Sequence, residues 1–192
     1  MINLDCKNKC CACGACAEKC PYKAISFQAD QFGNYYPIVD DSKCVKCGLC
    51  EKVCPFENIG DLNGNHTTVA VKLKKCEELK NSASGGAFYG LAKGFLETNS
   101  EEKSKIYGCV FDENLYPKHI GVNLCSDLNL FQGSKYVRSE MMVYEDILTS
   151  LKNDQNVLFS GTPCQCRAVQ LYCAGFEKNL YTIELICHGV ID

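Results

Sequence analysis

Nowhere does the sequence string together the roughly 18 apolar residues that a membrane-spanning helix requires. Its first residues, Met1-Ile2-Asn3-Leu4-Asp5-Cys6-Lys7, contain no apolar core of a secretory signal. The expectation is a cytoplasmic protein with no membrane span. A basic stripe is missing as well, because 20 Lys and Arg are scattered among 23 Asp and Glu, for a formal net charge of -3. Nothing gathers positive charge against a phosphate backbone or an anionic lipid surface, so nucleic acid is not an expected partner. Charge of either sign is too sparse for a disordered chain, at 22% of residues, while 46% are hydrophobic and can build a core. One domain, or two unequal ones, fits 192 residues.

What is abundant is cysteine. Seventeen in a chain of this length would mean disulfides outside the cell, whereas in a reducing compartment they mean metal or redox chemistry. Spacing separates the two. Ten of the 17 precede residue 55, and there the sequence repeats itself: residues 10–21 and 44–55 carry one cysteine-proline pattern at an offset of 34 residues. After the first copy come the strand-like Ala24-Ile25-Ser26-Phe27, a turn over 30–34, and the strand-like Tyr35-Tyr36-Pro37-Ile38-Val39.

A stretch rich in Gly, Asn and Asp over 57–65 has no hydrophobic period and reads as a linker. It divides the chain into 1–57, a linker at 58–67, and 68–192. Beyond it, 69–73 reads as a strand, 85–96 as a helix behind a small-residue loop, and 106–111 and 119–124 as strands. The spacing of Met141, Tyr144, Ile147, Leu148 and Leu151 predicts a helix over 140–152, and 157–159 and 181–187 read as buried strands.

Each cysteine copy reads C-x2-C-x2-C-x3-C-P: Cys10, Cys13, Cys16 and Cys20 with Pro21, then Cys44, Cys47, Cys50 and Cys54 with Pro55. This is the signature of bacterial two-cluster ferredoxins, in which three cysteines wrap one 4Fe-4S cluster and the fourth points to the other. By that resemblance, one cluster takes Cys10, Cys13, Cys16 and Cys54, and the other takes Cys44, Cys47, Cys50 and Cys20. Gly14 and Gly48 stand where a side chain would crowd a sulfide or block an amide from bonding to it. Paired C-x2-C motifs also make zinc sites, but zinc accounts for neither the third cysteine nor the proline. A domain of about 60 residues buries little surface, so the clusters supply much of its folding energy. Cys6 and Cys11 fall outside the pattern. Cys11 adjoins a motif cysteine, where it could substitute or scramble under oxidation, although the plainer expectation is a bystander.

Three segments stand out later: Ser82-Ala83-Ser84-Gly85-Gly86-Ala87-Phe88, then Gly133-Ser134-Lys135-Tyr136-Val137-Arg138-Ser139, then Ser160-Gly161-Thr162-Pro163-Cys164-Gln165-Cys166 with Cys187-His188-Gly189 beyond. A Ser-Gly-Gly loop before a helix and a Gly-Thr-Pro turn between strand and helix each leave backbone amides for a phosphate. Taken singly, each reads more readily as an ordinary tight turn. In this order they resemble the beta subunit family of coenzyme F420 hydrogenases and dehydrogenases, joined to a ferredoxin module. Members are flavoproteins that pass electrons from iron-sulfur clusters to FAD, and the archaeal ones exchange hydride with a deazaflavin coenzyme. The resemblance implies that Ser84, Gly85 and Gly86 face the flavin, that Lys135 and Tyr136 line its pocket, and that Thr162 joins them. A lysine there would stabilise the anionic reduced ring. It also matches Cys164 and Cys187 to ligands of a third 4Fe-4S cluster, completed by a later C-x2-C pair that this sequence lacks. The chain therefore reads as C-terminally truncated, with a third cluster only if it continues. Cys76, Cys109, Cys125, Cys166 and Cys173 read as small buried hydrophobes, His188 as support for Cys187, and His66 and His119 as incidental.

The expected fold is an α+β ferredoxin-like two-cluster domain followed by an incomplete α/β flavin-binding domain with a mixed sheet. The expected function is an iron-sulfur flavoprotein oxidoreductase, relaying electrons through two 4Fe-4S clusters to FAD and a two-electron acceptor such as a deazaflavin or another conjugated substrate. Its partner is a redox protein or a small-molecule acceptor. The alternative is a non-catalytic ferredoxin-type electron-transfer or docking subunit for a partner oxidoreductase. No catalytic residue is singled out.

Overall fold

The repeat in the sequence is also a repeat of backbone geometry. In a computed structural model describing residues 9–60 and 67–189, the residue before the second cysteine of each copy is left-handed, Ala12 at φ 50° and Lys46 at φ 55°. So is the glycine after that cysteine, Gly14 at 81° and Gly48 at 75°. Each glycine caps a one-turn helix, α1 (Ala15–Glu18) and α2 (Leu49–Lys52). A Cβ on Gly14 would meet no protein atom within 4 Å, so within the chain it is handedness that demands glycine. Cys6, His66 and most of the expected linker lie outside the described residues.

Between the copies, β1 (Ile25–Ala29) and β2 (Tyr35–Val39) form an antiparallel hairpin with Ile25 opposite Val39 and Phe27 opposite Pro37. The expected turn is closed by the Asp30 carboxylate, which accepts the amides of Phe32 at 2.9 Å and Asn34 at 3.1 Å, with Gly33 at φ 88°.

The second part runs α3 (Cys76–Leu79), α4 (Ala87–Asn99), β3 (Ser104–Phe111), β4 (Pro117–Val122), α5 (Tyr144–Lys152), β5 (Asn156–Gly161), α6 (Pro163–Tyr172) and β6 (Leu180–Glu184). The sheet order is β4-β3-β5-β6, antiparallel between β3 and β4 and parallel from β3 through β5 to β6. Alternation along the strands loads both faces. Tyr107, Val157 and Phe159 pack under α5 and α6, while Ile106, Val110 and Leu158 pack under α4 and the 3-10 turn at Cys125–Phe131. The fold is therefore mixed α and β.

Two strand expectations fail. Residues 69–73 join no ladder: Val69 and Val71 are exposed, and the segment runs beside the loop before α4, with the Leu73 amide donating to Gly85 O at 2.9 Å. The expected strand at 181–187 stops at Glu184, opposite Gly161, because β5 ends there and the chain turns into α6. Ile186 and Cys187 are left exposed.

Ala15 of α1 and Val53, both buried, belong to the same hydrophobic cluster as Tyr144, Ile147 and Leu151 of α5 and Val169 and Tyr172 of α6.

Candidate metal centres

The eight motif cysteines line two concavities, four to each. The first is bounded by Cys44, Cys47, Cys50 and Cys20, and encloses about 380 Å³ with the solvent at its mouth. The second is bounded by Cys10, Cys13, Cys16 and Cys54, and encloses about 340 Å³ on the same basis. Each therefore combines three thiols of one copy with the last thiol of the other. The exchange follows from packing, since α1 and α2 lie against each other and the cysteine after each helix falls beside the other copy's loop. One face of the hairpin floors both: Ile25 and Val39 under the first concavity, their neighbours Phe27 and Pro37 under the second.

Backbone amides point at sulfur. Ala12 N–H donates to Cys10 Sγ and Ala24 N–H to Cys20 Sγ, each at 3.4 Å. Burial pushes the Cys10, Cys16 and Cys54 thiols up, so bare thiolates there are costly unless a cation sits against them. Soft thiol donors around an apolar hollow, with amide donors to sulfur, fit an iron-sulfur cluster. Among the described residues no three His, Cys, Asp or Glu side chains converge as a single metal ion requires. A tetrahedral zinc site, with metal–sulfur bonds of about 2.3 Å, needs such convergence. The two concavities also differ in access: Cys47 is exposed in the first, Cys16 buried in the second.

The inner concavity backs onto the α/β part along a tightly bonded seam. Tyr144, fully buried, donates its hydroxyl to Cys13 O at 2.9 Å and stacks on Tyr172 with centroids 5.0 Å apart. Lys19 lies 4.0 Å over the Tyr172 ring and donates to Tyr172 O at 3.2 Å. Arg167 Nε donates to Asn58 O at 2.9 Å, and the Glu145 amide to the Glu18 carboxylate at 3.1 Å. Cys11 lines the inner concavity beside the motif cysteines. Hydrogen bonding with Cys13 and Cys164 pushes the Cys11 thiol up, and hydrogen bonding with Cys11 draws Cys13 down. Hydrogen bonding with Cys11 likewise brings Cys164 down to about 6, with help from the Thr162 hydroxyl at 3.2 Å.

The residues expected around a flavin make the following contacts within the chain. A Cβ on Gly85 would collide with the Val71 carbonyl, so the close approach that requires glycine is made by the chain's own 71–73 segment. Lys135 spends its ammonium on the carbonyls of Phe131 at 3.1 Å and Gln132 at 2.9 Å. Tyr136 is 81% exposed. Thr162 forms a capping box with Gln165, whose Oε1 accepts the Thr162 amide at 3.0 Å. The Ser84-Gly85-Gly86 loop and the stretch holding Lys135 do lie side by side, joined by Gln132 Nε2 donating to Ser82 Oγ at 3.0 Å. The Cys187 sulfur accepts the Gly189 amide at 3.4 Å, and His188 is exposed.

Sequence reading missed His119. It is 5% exposed, stacked on Phe159, and its Nε2 bonds Ser160 O at 3.0 Å. A carbonyl only accepts, so Nε2 carries the proton and Nδ1 accepts from Ser139 Oγ at 3.1 Å. Ser139 in turn accepts Gln165 Nε2 at 2.9 Å, which links β4 to the start of α6. Desolvation lowers His119 to about 4. A lone histidine in a strand pattern carries no signal for this role. Of the five later cysteines, Cys166 and Cys173 are buried as expected, Cys109 and Cys125 are partly buried, and Cys76 is exposed at the start of α3.

Residues 9–58 match the family described as 4Fe-4S dicluster domain, and residues 36–81 match a second family of the same description. The matches overlap on the Cys44-to-Cys54 copy, and beyond it the second contains only Cys76. No curated protein matches the chain. Among solved structures, a chain of the F420-reducing NiFe hydrogenase complex from Methanosarcina barkeri is 21% identical with a TM-score of 0.46, covering 60% of this chain. The match spans 42% of that chain, less than half its length. Among the described residues no helix is long and apolar enough to cross a membrane. The protein thus carries iron-sulfur electron-transfer sequence in its N-terminal part, followed by a mixed α/β part.

Proposed function

We propose that this chain relays single electrons through two 4Fe-4S clusters, received at the exposed concavity and delivered to the seam with the α/β part. Cys44, Cys47, Cys50 and Cys20 hold the outer cluster, and Cys10, Cys13, Cys16 and Cys54 the inner one. The observation that carries this is the pair of crossed thiol rings on one hairpin floor. A 4Fe-4S cluster, when bound, takes up and returns one electron at a time. The chain's residues do the rest. Phe27, Pro37 and Phe56 keep the inner site apolar, the Ala12 amide steadies Cys10, and Tyr144 ties the Cys13 loop to α5.

For the acceptor, the family resemblance offers FAD, with a deazaflavin or another conjugated two-electron substrate beyond it, at Ser84, Gly85, Gly86, Lys135, Tyr136 and Thr162. Segment 71–73 would have to leave the glycine loop first, so no step through flavin is derived. That obstruction favours a second reading, a non-catalytic electron-transfer or docking subunit for a partner oxidoreductase. The same resemblance offers Cys164 and Cys187 as two ligands of a third cluster.

Iron, sulfide and flavin counts with EPR on anaerobically purified protein test both readings. About eight irons per chain is the relay's expected result. Bound flavin would select the oxidoreductase, and its absence the docking subunit. Zinc in place of iron and sulfide would overturn the relay.

A further inference from the structure

Arg138, half-buried, reaches from the α/β part to the hairpin, where its guanidinium carbon lies 5.1 Å over the Tyr35 ring. Tyr35 continues a row of side chains along one face of β2. Residues two apart on a strand share a face, so Val39, Pro37 and Tyr35 follow one another. Val39 floors the outer concavity and Pro37 the inner one. Tyr35 is the next step beyond the inner site, about 7 Å along the strand from Pro37 and about 13 Å from Val39. The chain is fixed at this point by the two residues that follow Arg138. Ser139, buried, donates its hydroxyl to His119 Nδ1 at 3.1 Å and accepts Gln165 Nε2 at 2.9 Å. Glu140 donates its amide to Pro117 O and accepts the His119 amide, both at 2.9 Å.

We propose that Arg138 is a positioning residue acting through its charge: it holds up the reduction potential of the inner cluster and so draws the relayed electron inward. This rests on the two-cluster reading above. Passing the electron inward oxidises the outer site by one electron and reduces the inner site by one, with no bond made or broken and no proton moved. The inner site thereby gains one negative charge. A fixed cation beside it lowers the cost of that charge, and net local charge is one of the quantities that set a cluster's potential. The effect is selective, because salt screens charge over about 8–10 Å, and only the inner floor lies within that reach of Tyr35. Arginine suits the place, since it stays charged and its planar group packs on an aromatic face. Burial pushes the Cys10 thiol up, and the Arg138 charge works against that rise, in keeping with the same placement. The lysines on the two walls, Lys9 at the inner and Lys46 at the outer, are both exposed and favour neither site.

The test compares wild type, Arg138→Gln and Arg138→Lys, each purified anaerobically as the full chain with clusters loaded. Iron is counted, and the midpoint potential of each cluster is read by EPR during a dithionite titration. The expected iron content is about eight per chain in all three. In Arg138→Gln one midpoint falls and the other stays, whereas Arg138→Lys, which keeps the charge, holds both near their wild-type values. The midpoint that falls is the one retained when Cys20→Ala and Cys44→Ala together remove the outer cluster. Unchanged midpoints in Arg138→Gln, equal falls in both, or a fall in the outer one alone overturn the proposal and leave the two clusters standing. So does a loss of iron confined to the Arg138 variants, the sign of a purely structural contact. Wild-type iron far below about eight sinks the two-cluster reading itself.

Discussion

At the scale of the residue, His119 shows how burial turns a commonplace side chain into a structural one. Its folded value of about 4 lies below the unfolded value of roughly 6.5, so between them the unfolded chain takes up a proton that the folded chain refuses. The stability this provides is complete above about pH 6.5 and is lost as pH falls toward 4. Between pH 7.5 and pH 5 the expected loss is about 2 kcal/mol, read from urea unfolding midpoints. His119→Gln, which has no proton to gain, should flatten that slope. Two glycines make a second contrast. Gly85→Ala drives a methyl into the Val71 carbonyl and should cost about 1–3 kcal/mol. Gly94→Ala, inside α4 with no atom within 4 Å of the new methyl, should stabilise by about 0.5–1 kcal/mol. Denaturant melts of the two variants should shift in opposite directions.

At the scale of the element, the paired loops and one-turn helices show how a duplicated sequence makes two sites that neither copy makes alone. Because Cys20 lies with the second copy's thiols and Cys54 with the first's, losses should pair by concavity rather than by sequence. Cys20→Ala combined with Cys44→Ala should remove one cluster, leaving about four irons, whereas Cys20→Ala combined with Cys10→Ala should remove both. Uncrossed ligation predicts the reverse, and iron analysis separates them. Helix α6 carries a comparable lesson. Its capping box fixes the first turn, and that turn sets the Cys164 sulfur 3.2 Å from the Thr162 hydroxyl.

At the scale of the whole molecule, the shared core couples the metal centres to the sheet. Ala15 and Val53 pack with α5 and α6, while the cluster under α4 contains no residue of the first copy or the second. Removing iron should therefore unfold 9–58 and loosen α5 and α6, sparing the α4 face longest. Amide hydrogen exchange with and without chelator reads this directly. Equal loss of protection on both faces would contradict it.

The sequence by itself determined the elements governed by local rules. The cysteine spacing specified both loops, the period-two and helical patterns located β2, β3, β5 and α5, and Asp30 with Gly33 set the hairpin turn. These depend on neighbours within a few residues, which a sequence displays. Only the tertiary structure decided what long-range packing controls: that 69–73 serves as a cover for the Gly85 loop instead of a strand, and that His119 is buried among Ser139, Ser160 and Phe159. It alone brought Ala15 and Val53 of the cysteine copies into one cluster with α5 and α6, because that packing joins residues far apart in the chain and no spacing records it.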